Sequence, residues 1–402
     1  MARTIATLDH SKTSSSKESA LATPKYVSPE ALAEASRAMG LIEEAQRVPG
    51  VMAGVQDQYA SLMQTYVAKF GAAGPAAGDD MGREVKFDSH DILGWAGSLL
   101  TYVKGLHKFD FKDPAVLAEA LPNKAKIAVF GDWATGLYGA PKVAESIVRD
   151  GAHDLLLHLG DTYYSGDDEE VDDGLIGMWP KVPGAISRSL NGNHEMYTGG
   201  TAYMNAVTAS FGQQSSYFAY QNDNFILGCL DTSYDNHDLH GEQATWVGKL
   251  IAQAGGRKLI LFSHHQPFSL LDSEGPRLVA KLSPYLEAKQ IFAWYWGHEH
   301  RCVLYDKHAK WGVIGRCIGH GGFPEFRNKV PGSGGTATRF LTLPEKNLSP
   351  GGKVLDGPNP QITDHPDKYG PHGYVTLNFD GGKMIEQIRS ATGEVLLETQ
   401  LV

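Results

Sequence analysis

Residues 155–164 read Leu155-Leu156-Leu157-His158-Leu159-Gly160-Asp161-Thr162-Tyr163-Tyr164, an apolar run followed by a polar tail. The apolar run predicts a buried strand that ends at Gly160. Asp161 and the two tyrosines then lie at the carboxyl end of a strand, which is where open α/β sheets place their active sites. A Gly-Asp pair alone is common in turns, so its meaning depends on how the other strands of this chain end.

Four other predicted strands, at residues 126–130, 185–190, 258–262 and 291–296, also end in side chains that can bind metals or transfer protons. Parallel strands of one sheet bring their carboxyl ends to a common edge, so we expect these clusters to meet. They supply carboxylate, amide, phenol and imidazole groups but no thiolate, and such donors suit a pair of first-row divalent or trivalent metal ions. The clusters are Gly131-Asp132, Gly192-Asn193-His194-Glu195, Ser263-His264-His265 and Gly297-His298-Glu299-His300.

The composition is that of an ordinary soluble protein with an acidic balance. Of 402 residues, 42% are hydrophobic and 20% are charged, and the formal net charge of -10 argues against a broad nucleic-acid-binding surface. Cys229, Cys302 and Cys317 lie in or beside apolar runs, which predicts buried thiols and not a disulfide framework. Neither a secretory signal nor a membrane-spanning segment is evident, so we expect a cytoplasmic protein without a membrane partner, although export without such a signal would leave no trace.

The chain divides into three predicted regions. Residues 1–27 are rich in Ser, Lys and Thr, which predicts a disordered tail. Residues 28–123 are predicted to form a helical N-terminal extension, with Ser28 as its first N-cap and a last helix over 88–120. From Lys124 the pattern becomes strand–loop–helix, so residues 124–402 are predicted to form an α/β catalytic domain. Within it, residues 320–372 are dense in Gly and Pro and predict long loops.

The strand-end clusters resemble those of the calcineurin-like metallophosphoesterases and, within them, the purple acid phosphatases. The general family begins with Asp-x-His, but here Asp132 is followed by Trp133 and Ala134. Purple acid phosphatases replace that histidine by a tyrosine three residues after the second aspartate, and Tyr164 occupies that place. The resemblance implies a four-layer αββα sandwich that hydrolyses phosphate esters, with metal-bound water or hydroxide attacking phosphorus directly.

The resemblance also implies a ligand set for two metal ions. The first would be Fe(III), which a phenolate favours, and the second Fe(II), Zn(II) or Mn(II). His264 is preferred to His265 as a ligand, because consecutive strand residues face opposite ways. The predicted ligands are Asp132, Tyr164 and His300 for the first ion, Asn193, His264 and His298 for the second, and Asp161 as the bridge.

Residues around the metals would bind the substrate. His194 is the predicted catalytic residue, because an imidazole just outside the coordination sphere can hold a phosphate oxygen or protonate the leaving alkoxide. The histidines that plant purple acid phosphatases place shortly after their fifth-motif histidine are not found here. The local substitutes are His265, His237, His240 and His320, of which His320 is favoured because it lies in a Gly-rich loop that can approach a phosphate closely.

Three readings of the function stay open at this level. The first is a purple acid phosphatase-like hydrolase of small phosphate esters, and the second is a phosphodiesterase or nucleotidase with the same metals. The third is a non-phosphatase or non-catalytic protein on the same fold, since function depends on the site and not on the fold. The acidic run at residues 167–173 is either a solvated loop or a device that repels polyanionic substrates.

Overall fold

The computed structural model describes Lys86 and residues 108–402. The predicted disordered tail and most of the predicted helical extension lie outside these described residues. Where the prediction can be compared, over residues 108–120, it is wrong: this segment is irregular and ends in the short strand β1 (Glu119–Ala120). Pro114 disfavours helical backbone at Asp113, and Phe111 stacks on Tyr217 of the main body with ring centroids 5.6 Å apart.

The strands, numbered in chain order, form two sheets. The larger sheet has nine strands in the spatial order β1, β5 (Phe218–Gln221), β6 (Phe225–Cys229), β7 (Lys258–Ser263), β8 (Ile291–Trp296), β10 (Ile314–Ile318), β9 (Cys302–Tyr305), β12 (Gly352–Asp356) and β11 (Arg339–Leu343). The smaller sheet has six strands in the order β15 (Val395–Gln400), β14 (Lys383–Ser390), β13 (Gly373–Asp380), β2 (Lys124–Phe130), β3 (Leu155–His158) and β4 (Ile186–Ser189). Residues 320–372, which were predicted to form long loops, also contain the hairpin of β11 and β12.

Helices cover the outer face of each sheet. The smaller sheet packs against α1 (Gly139–Arg149) and α4 (Thr201–Phe211), and the larger sheet packs against α5 (Gln243–Ala252) and α6 (Pro276–Glu287). Three short elements lie near the strand ends: α2 (Asp168–Glu170), which continues into a π-helical turn (Val171–Gly177), α3 (Asn193–Met196) and a 3-10 turn (Arg327–Lys329). No helix among the described residues is both long and apolar enough to cross a bilayer.

Alternation along the strands accounts for the layering. On β2, Ile127 and Val129 join a core with residues of the larger sheet, whereas Ala128 and Phe130 face the helices that cover the smaller sheet. The strand is therefore buried on both faces, as expected for a parallel strand in an α/β protein. The predicted four-layer αββα sandwich is confirmed.

A buried ion pair joins the two sheets through the core. Arg316 on β10 of the larger sheet donates from Nε to both carboxylate oxygens of Glu386 on β14 of the smaller sheet, at 2.8 and 3.0 Å. The hydroxyl of Tyr295 on β8 donates to the same carboxylate at 2.5 Å, and Arg316 also donates to the carbonyl oxygen of Tyr305 at 3.0 Å. The buried charges thus have several hydrogen-bond partners, which such a pair needs to offset its desolvation.

The sheets share the edge on which the candidate site lies. Strands β2, β3 and β4 are parallel neighbours in the smaller sheet, as are β6, β7 and β8 in the larger one. The predicted clusters follow the carboxyl ends of β2, β3, β4, β7 and β8, so the topology brings them to one side of the sandwich. The three cysteines are free and buried, as predicted, and burial raises the pKa of each thiol.

Candidate metal centre

The first group of potential ligands consists of Asp132, Asp161 and His300. One donor atom from each lies within 4.8 Å of the other two, and all three residues are buried. The hydroxyl oxygen of Tyr163 lies 3.0 Å from Oδ1 of Asp132, 3.1 Å from Oδ2 of Asp161 and 3.1 Å from Nε2 of His300. Two carboxylates, an imidazole and a phenol therefore converge here.

The tyrosine in this group is Tyr163, whereas the sequence prediction named Tyr164. The backbone N–H of Tyr164 donates to Glu170 at 2.6 Å, its carbonyl oxygen contacts Nδ1 of His194, and its ring lies 5.7 Å from the ammonium nitrogen of Lys86. The backbone of Tyr164 is thus held by Glu170 and His194, and its ring lies beside Lys86. The phenol that lies beside Asp132 and His300 is that of Tyr163, and a role of Tyr164 as a metal ligand stays a prediction.

The second group consists of Asp161, His264 and His298, again with donor atoms within 4.8 Å of one another. Oδ1 of Asn193 lies 3.0 Å from Nε2 of His264 and 3.0 Å from Nδ1 of His298, so the amide completes the group. Asp161 is the member that the two groups share. The predicted second ligand set is therefore brought together, and Asp161 lies where a bridging carboxylate would.

Four of the residues in the two ligand groups have unusual backbone conformations. Asp132, Asp161, His298 and His300 have φ angles of 52, 77, 68 and 53°, in the left-handed region that non-glycine residues rarely adopt. Such strain clusters at functional sites, where the surrounding structure holds it in place. Gly192 allows the close approach, because a β-carbon at that position would lie 1.9 Å from Oδ1 of Asp161.

The pKa values of the side chains in the two ligand groups are those expected of a site that binds cations. Burial raises the pKa of Asp132 well above its ordinary value, and the neighbouring Asp161 adds to this effect. Burial alone would also raise the pKa of Asp161, but interactions with His194 and His264 hold it well below the usual range. The pKa of His264 rises to about 9, because Asp161 outweighs the effect of burial. Metal ions would replace that proton and compensate both buried carboxylates.

Glu195 fixes the carboxylate that the groups share. Its Oε2 accepts hydrogen bonds from the backbone N–H of Gly192 at 2.7 Å and of Asp161 at 3.2 Å, and its Oε1 accepts from the hydroxyl of Thr162 at 2.8 Å. The side chain thus joins the loop after β4 to the loop after β3. The sequence prediction left Glu195 without a role, although a Glu in the first turn after a strand end is a capping-box signal.

Glu325 supports the ring of His300, as Glu195 supports the loop of Asp161. Its Oε2 lies 3.5 Å from Nδ1 of His300, and its Oε1 forms ion pairs with Arg301 at 3.3 Å and Lys329 at 2.9 Å. Burial alone would raise the pKa of Glu325, but His300 and the two cations hold it well below the ordinary value. Carboxylates placed behind ligating imidazoles orient the ring and raise its basicity. No local motif identifies Glu325, because it follows His300 by 25 residues in a loop.

The acidic run splits into two kinds of residue. Asp168 and Glu169 are exposed, in agreement with a solvated loop. Glu170 instead turns inward and accepts hydrogen bonds from the backbone N–H groups of Tyr164 at 2.6 Å and Ser165 at 2.8 Å. It therefore holds the loop that carries the tyrosine pair.

The predicted catalytic residue, His194, lies beside the shared carboxylate. Its backbone N–H donates to Oδ1 of Asp161 at 3.1 Å, its Nε2 is 3.7 Å from Oδ2 of Asp161, and its ring packs on that of Tyr163 at 4.6 Å. His194 thus lies next to both groups, and its role as the catalytic residue stays a prediction.

The predicted substrate-binding histidines lie in different places. His265 is buried, and its ring centroid is 4.7 Å from that of His298. In the Gly-rich loop, Gly319 does approach the site, since a β-carbon there would lie 2.7 Å from Oδ2 of Asp132. The ring of His320, however, faces Gly373 at the start of β13, and neither ring nitrogen has a hydrogen-bond partner among the described residues. A substrate-binding role for either histidine stays a prediction.

Comparisons with known proteins place the chain among phosphoesterase-like folds. The family model for calcineurin-like phosphoesterases matches residues 125–302. Among solved structures, the chain is similar to a purple acid phosphatase from yellow lupin (Lupinus luteus) seeds, with a TM-score of 0.52 and 16% identity over 70% of this chain and 54% of that one. It is also similar to the GAP50 anchor of the Plasmodium inner membrane complex, with a TM-score of 0.47 and 11% identity over 69% of this chain and 88% of that one.

The comparisons define the class of protein. Residues 125–302 match the calcineurin-like phosphoesterase family and the fold is similar to that of a purple acid phosphatase, which confirms the resemblance inferred from the strand-end motifs. The chain spans about half the length of the lupin phosphatase. A search of curated protein sequences finds no match.

Proposed function

We propose that this protein hydrolyses small phosphate esters with a pair of metal ions, in the manner of purple acid phosphatases. The observation that carries the proposal is the position of Asp161, whose carboxylate belongs to both ligand groups. Shared carboxylates are typical of sites that hold two metal ions a few ångströms apart. The family match over residues 125–302 supports phosphate esters as the substrate class.

Six of the seven residues that we propose as ligands were expected from the sequence, and Tyr163 replaces Tyr164. When bound, two such ions would neutralise phosphoryl oxygens and lower the pKa of the attacking water. A phenol among the first group favours Fe(III) there, and the imidazole-rich second group suits Fe(II), Zn(II) or Mn(II). The first ion would take Asp132, Asp161, Tyr163 and His300, and the second would take Asp161, Asn193, His264 and His298.

His194 would act as the general acid that protonates the leaving group. Its Nδ1 contacts the carbonyl oxygen of Tyr164, which can only accept, so Nδ1 carries a hydrogen and Nε2 is the atom that gains or loses a proton. That nitrogen faces the cluster, 3.7 Å from Oδ2 of Asp161. An imidazolium in this place can hold a phosphoryl oxygen and then protonate the departing alkoxide, which leaves as an alcohol.

The test compares variants of the shared carboxylate, the second group and His194 with a surface control. Asp161→Asn and His298→Ala should abolish turnover of an aryl phosphate and lower the metal content, while circular dichroism shows a folded protein. His194→Ala should keep the metals and lose about 10²–10⁴-fold in kcat. Asp168→Asn, an exposed change close by, should behave as the wild type. Full activity of Asp161→Asn would refute the proposal.

The same assay separates the alternative functions. A diester turned over much faster than the monoester would indicate a phosphodiesterase or nucleotidase with the same ligands. Fewer than two metal ions per chain, together with no hydrolysis of either ester, would indicate a non-catalytic protein on this fold.

A further inference from the structure

Three histidines form a cluster beside the second ligand group. One ring nitrogen of each of His237, His265 and His298 lies within 4.8 Å of the other two. The ring centroids are 3.8 Å apart for His237 and His265, 4.7 Å for His265 and His298, and 5.1 Å for His237 and His298. Two of these side chains, His237 and His265, have no place in the proposed pair of metal sites.

Hydrogen bonds leave one nitrogen of each of these two rings available. Nδ1 of His237 lies 2.9 Å from Oδ1 of Asn236, and because an amide oxygen only accepts, Nδ1 carries the hydrogen and Nε2 keeps its lone pair. Nδ1 of His265 faces the hydroxyl oxygen of Thr232 at 3.1 Å. Its Nε2 is buried and has no hydrogen-bond partner within the part of the chain that the structure describes.

A buried ring nitrogen without a partner is costly, and such a group in a native protein points to a bound ion or water. Metal-binding histidines usually have one nitrogen hydrogen-bonded to an oxygen and the other directed at the metal. His237 and His265 both show this arrangement.

We propose that His237, His265 and His298 bind an additional transition-metal ion of the class that prefers imidazole, with Zn²⁺ as the representative. Three imidazoles and one open position form a ligand arrangement found in zinc enzymes. His298 would serve two ions, through a ring deprotonated at both nitrogens. Its Nδ1 lies 3.0 Å from Asn193 and 3.2 Å from His264, on the side of the second group, which leaves Nε2 for the additional ion.

The competing role for His265 is to bind the phosphate of the substrate. That role needs an N–H or a positive charge directed at the anion. His237, and His265 when Nδ1 donates to Thr232, present a lone pair at Nε2, which repels a phosphoryl oxygen and attracts a cation. The arrangement therefore favours the metal.

The first experiment counts Zn²⁺ bound by the metal-free full chain, using equilibrium dialysis and elemental analysis. The wild type should bind three ions per chain, and His237→Gln and His265→Gln should each bind two. His240→Gln is the matched control, because His240 lies on the same loop but pairs with Asp235 at 2.6 Å, and it should bind three. His237 is only half-buried, so its variant remains informative if His265→Gln fails to fold.

A second experiment tests the histidine cluster in a variant that lacks the shared carboxylate of the proposed phosphatase centre. Asp161→Asn removes the carboxylate shared by the two ligand groups but leaves the histidine cluster intact. This variant should still bind Zn²⁺, and Asp161→Asn/His237→Gln should bind one ion fewer.

Two results would overturn the additional site. One is that His237→Gln binds as many Zn²⁺ ions as the wild type and that Asp161→Asn/His237→Gln binds as many as Asp161→Asn. The other is weaker binding of inorganic phosphate by His237→Gln or His265→Gln with an unchanged Zn²⁺ count, which would assign the cluster to the substrate.

Discussion

The hydroxyl oxygen of Tyr163 lies 3.0 Å from Oδ1 of Asp132, so the first residue of the tyrosine pair contacts the first ligand group. The second residue, Tyr164, has its backbone N–H bound by Glu170 and its ring beside Lys86. The two phenols therefore lie in different surroundings. Which of them binds decides the coordination of the first metal ion.

Substituting the two tyrosines one at a time tests this assignment. Iron-loaded wild-type protein should show a tyrosinate-to-iron charge-transfer band in its visible spectrum. Tyr163→Phe should remove the band, because it deletes the phenol oxygen that lies next to Asp132. Tyr164→Phe is the matched control and should keep it. A band that survives in Tyr163→Phe and disappears in Tyr164→Phe would return the ligand to the residue named by the sequence motif.

A second prediction concerns the loop that carries the tyrosines. Glu170 accepts backbone hydrogen bonds from Tyr164 and Ser165, so Glu170→Ala should loosen the loop and misplace the phenol. We expect a loss of about 10–100-fold in activity or in metal affinity at the first position, the usual effect of removing a residue that supports a ligand. Glu169→Ala changes the exposed neighbour and should have little effect. Equal kinetics and metal binding in both variants would show that the acidic run is only a solvated surface.

The elements that could be predicted from the sequence are those governed by local pattern. The apolar runs that end at Gly131, Gly160 and Gly297 specify buried strands, and parallel pairing then brings Asp132, Asp161 and the two histidines after Gly297 to one edge. The place of these four residues after a strand was therefore enough to predict that their side chains lie close together.

Features that depend on contacts between distant segments could not be predicted in this way. Glu325 reaches His300 from another loop. Similarly, the helix predicted over residues 88–120 does not extend through residues 108–118, where Phe111 packs on Tyr217. In each case the partner is remote in sequence, and local periodicity carries no information about it.

The ion pair between the sheets leads to a prediction about stability. Glu386→Gln leaves the buried guanidinium of Arg316 without its counter-charge, and we expect a loss of about 3–5 kcal/mol in the free energy of unfolding. The double variant Arg316→Met/Glu386→Leu removes both charges and should lose less. Glu287→Gln, which breaks an exposed pair with Lys310, should change the free energy by less than about 1 kcal/mol. Urea unfolding measures all three, and a single variant as stable as the exposed control would contradict the expectation.

The stability of the folded protein should decrease at acidic pH, in part because of buried histidines outside the two ligand groups. Burial lowers the pKa of His372 from 6.5 to about 4, and it lowers those of His158 and His320 to about 3. Between pH 6.5 and 4, the unfolded chain therefore takes up a proton at His372 that the folded chain does not. Stability rises with pH across this window and is lost as the pH falls, with a slope of up to about 1.4 kcal/mol per pH unit from each such histidine.

Replacing His372 with glutamine isolates one of these contributions. His372 accepts from the backbone N–H of Gly139 at 3.1 Å and donates to the carbonyl oxygen of Phe323 at 3.0 Å. A glutamine amide can form both bonds but does not titrate. Between pH 6.5 and 4, the free energy of unfolding of His372→Gln should therefore fall less steeply with decreasing pH than that of the wild type. The difference in slope corresponds to the uptake of about one proton fewer on unfolding. The half-buried His365, changed to Gln, controls for removal of a histidine as such, and a slope for His372→Gln equal to that of the wild type would show that His372 takes up its proton in the folded chain as well.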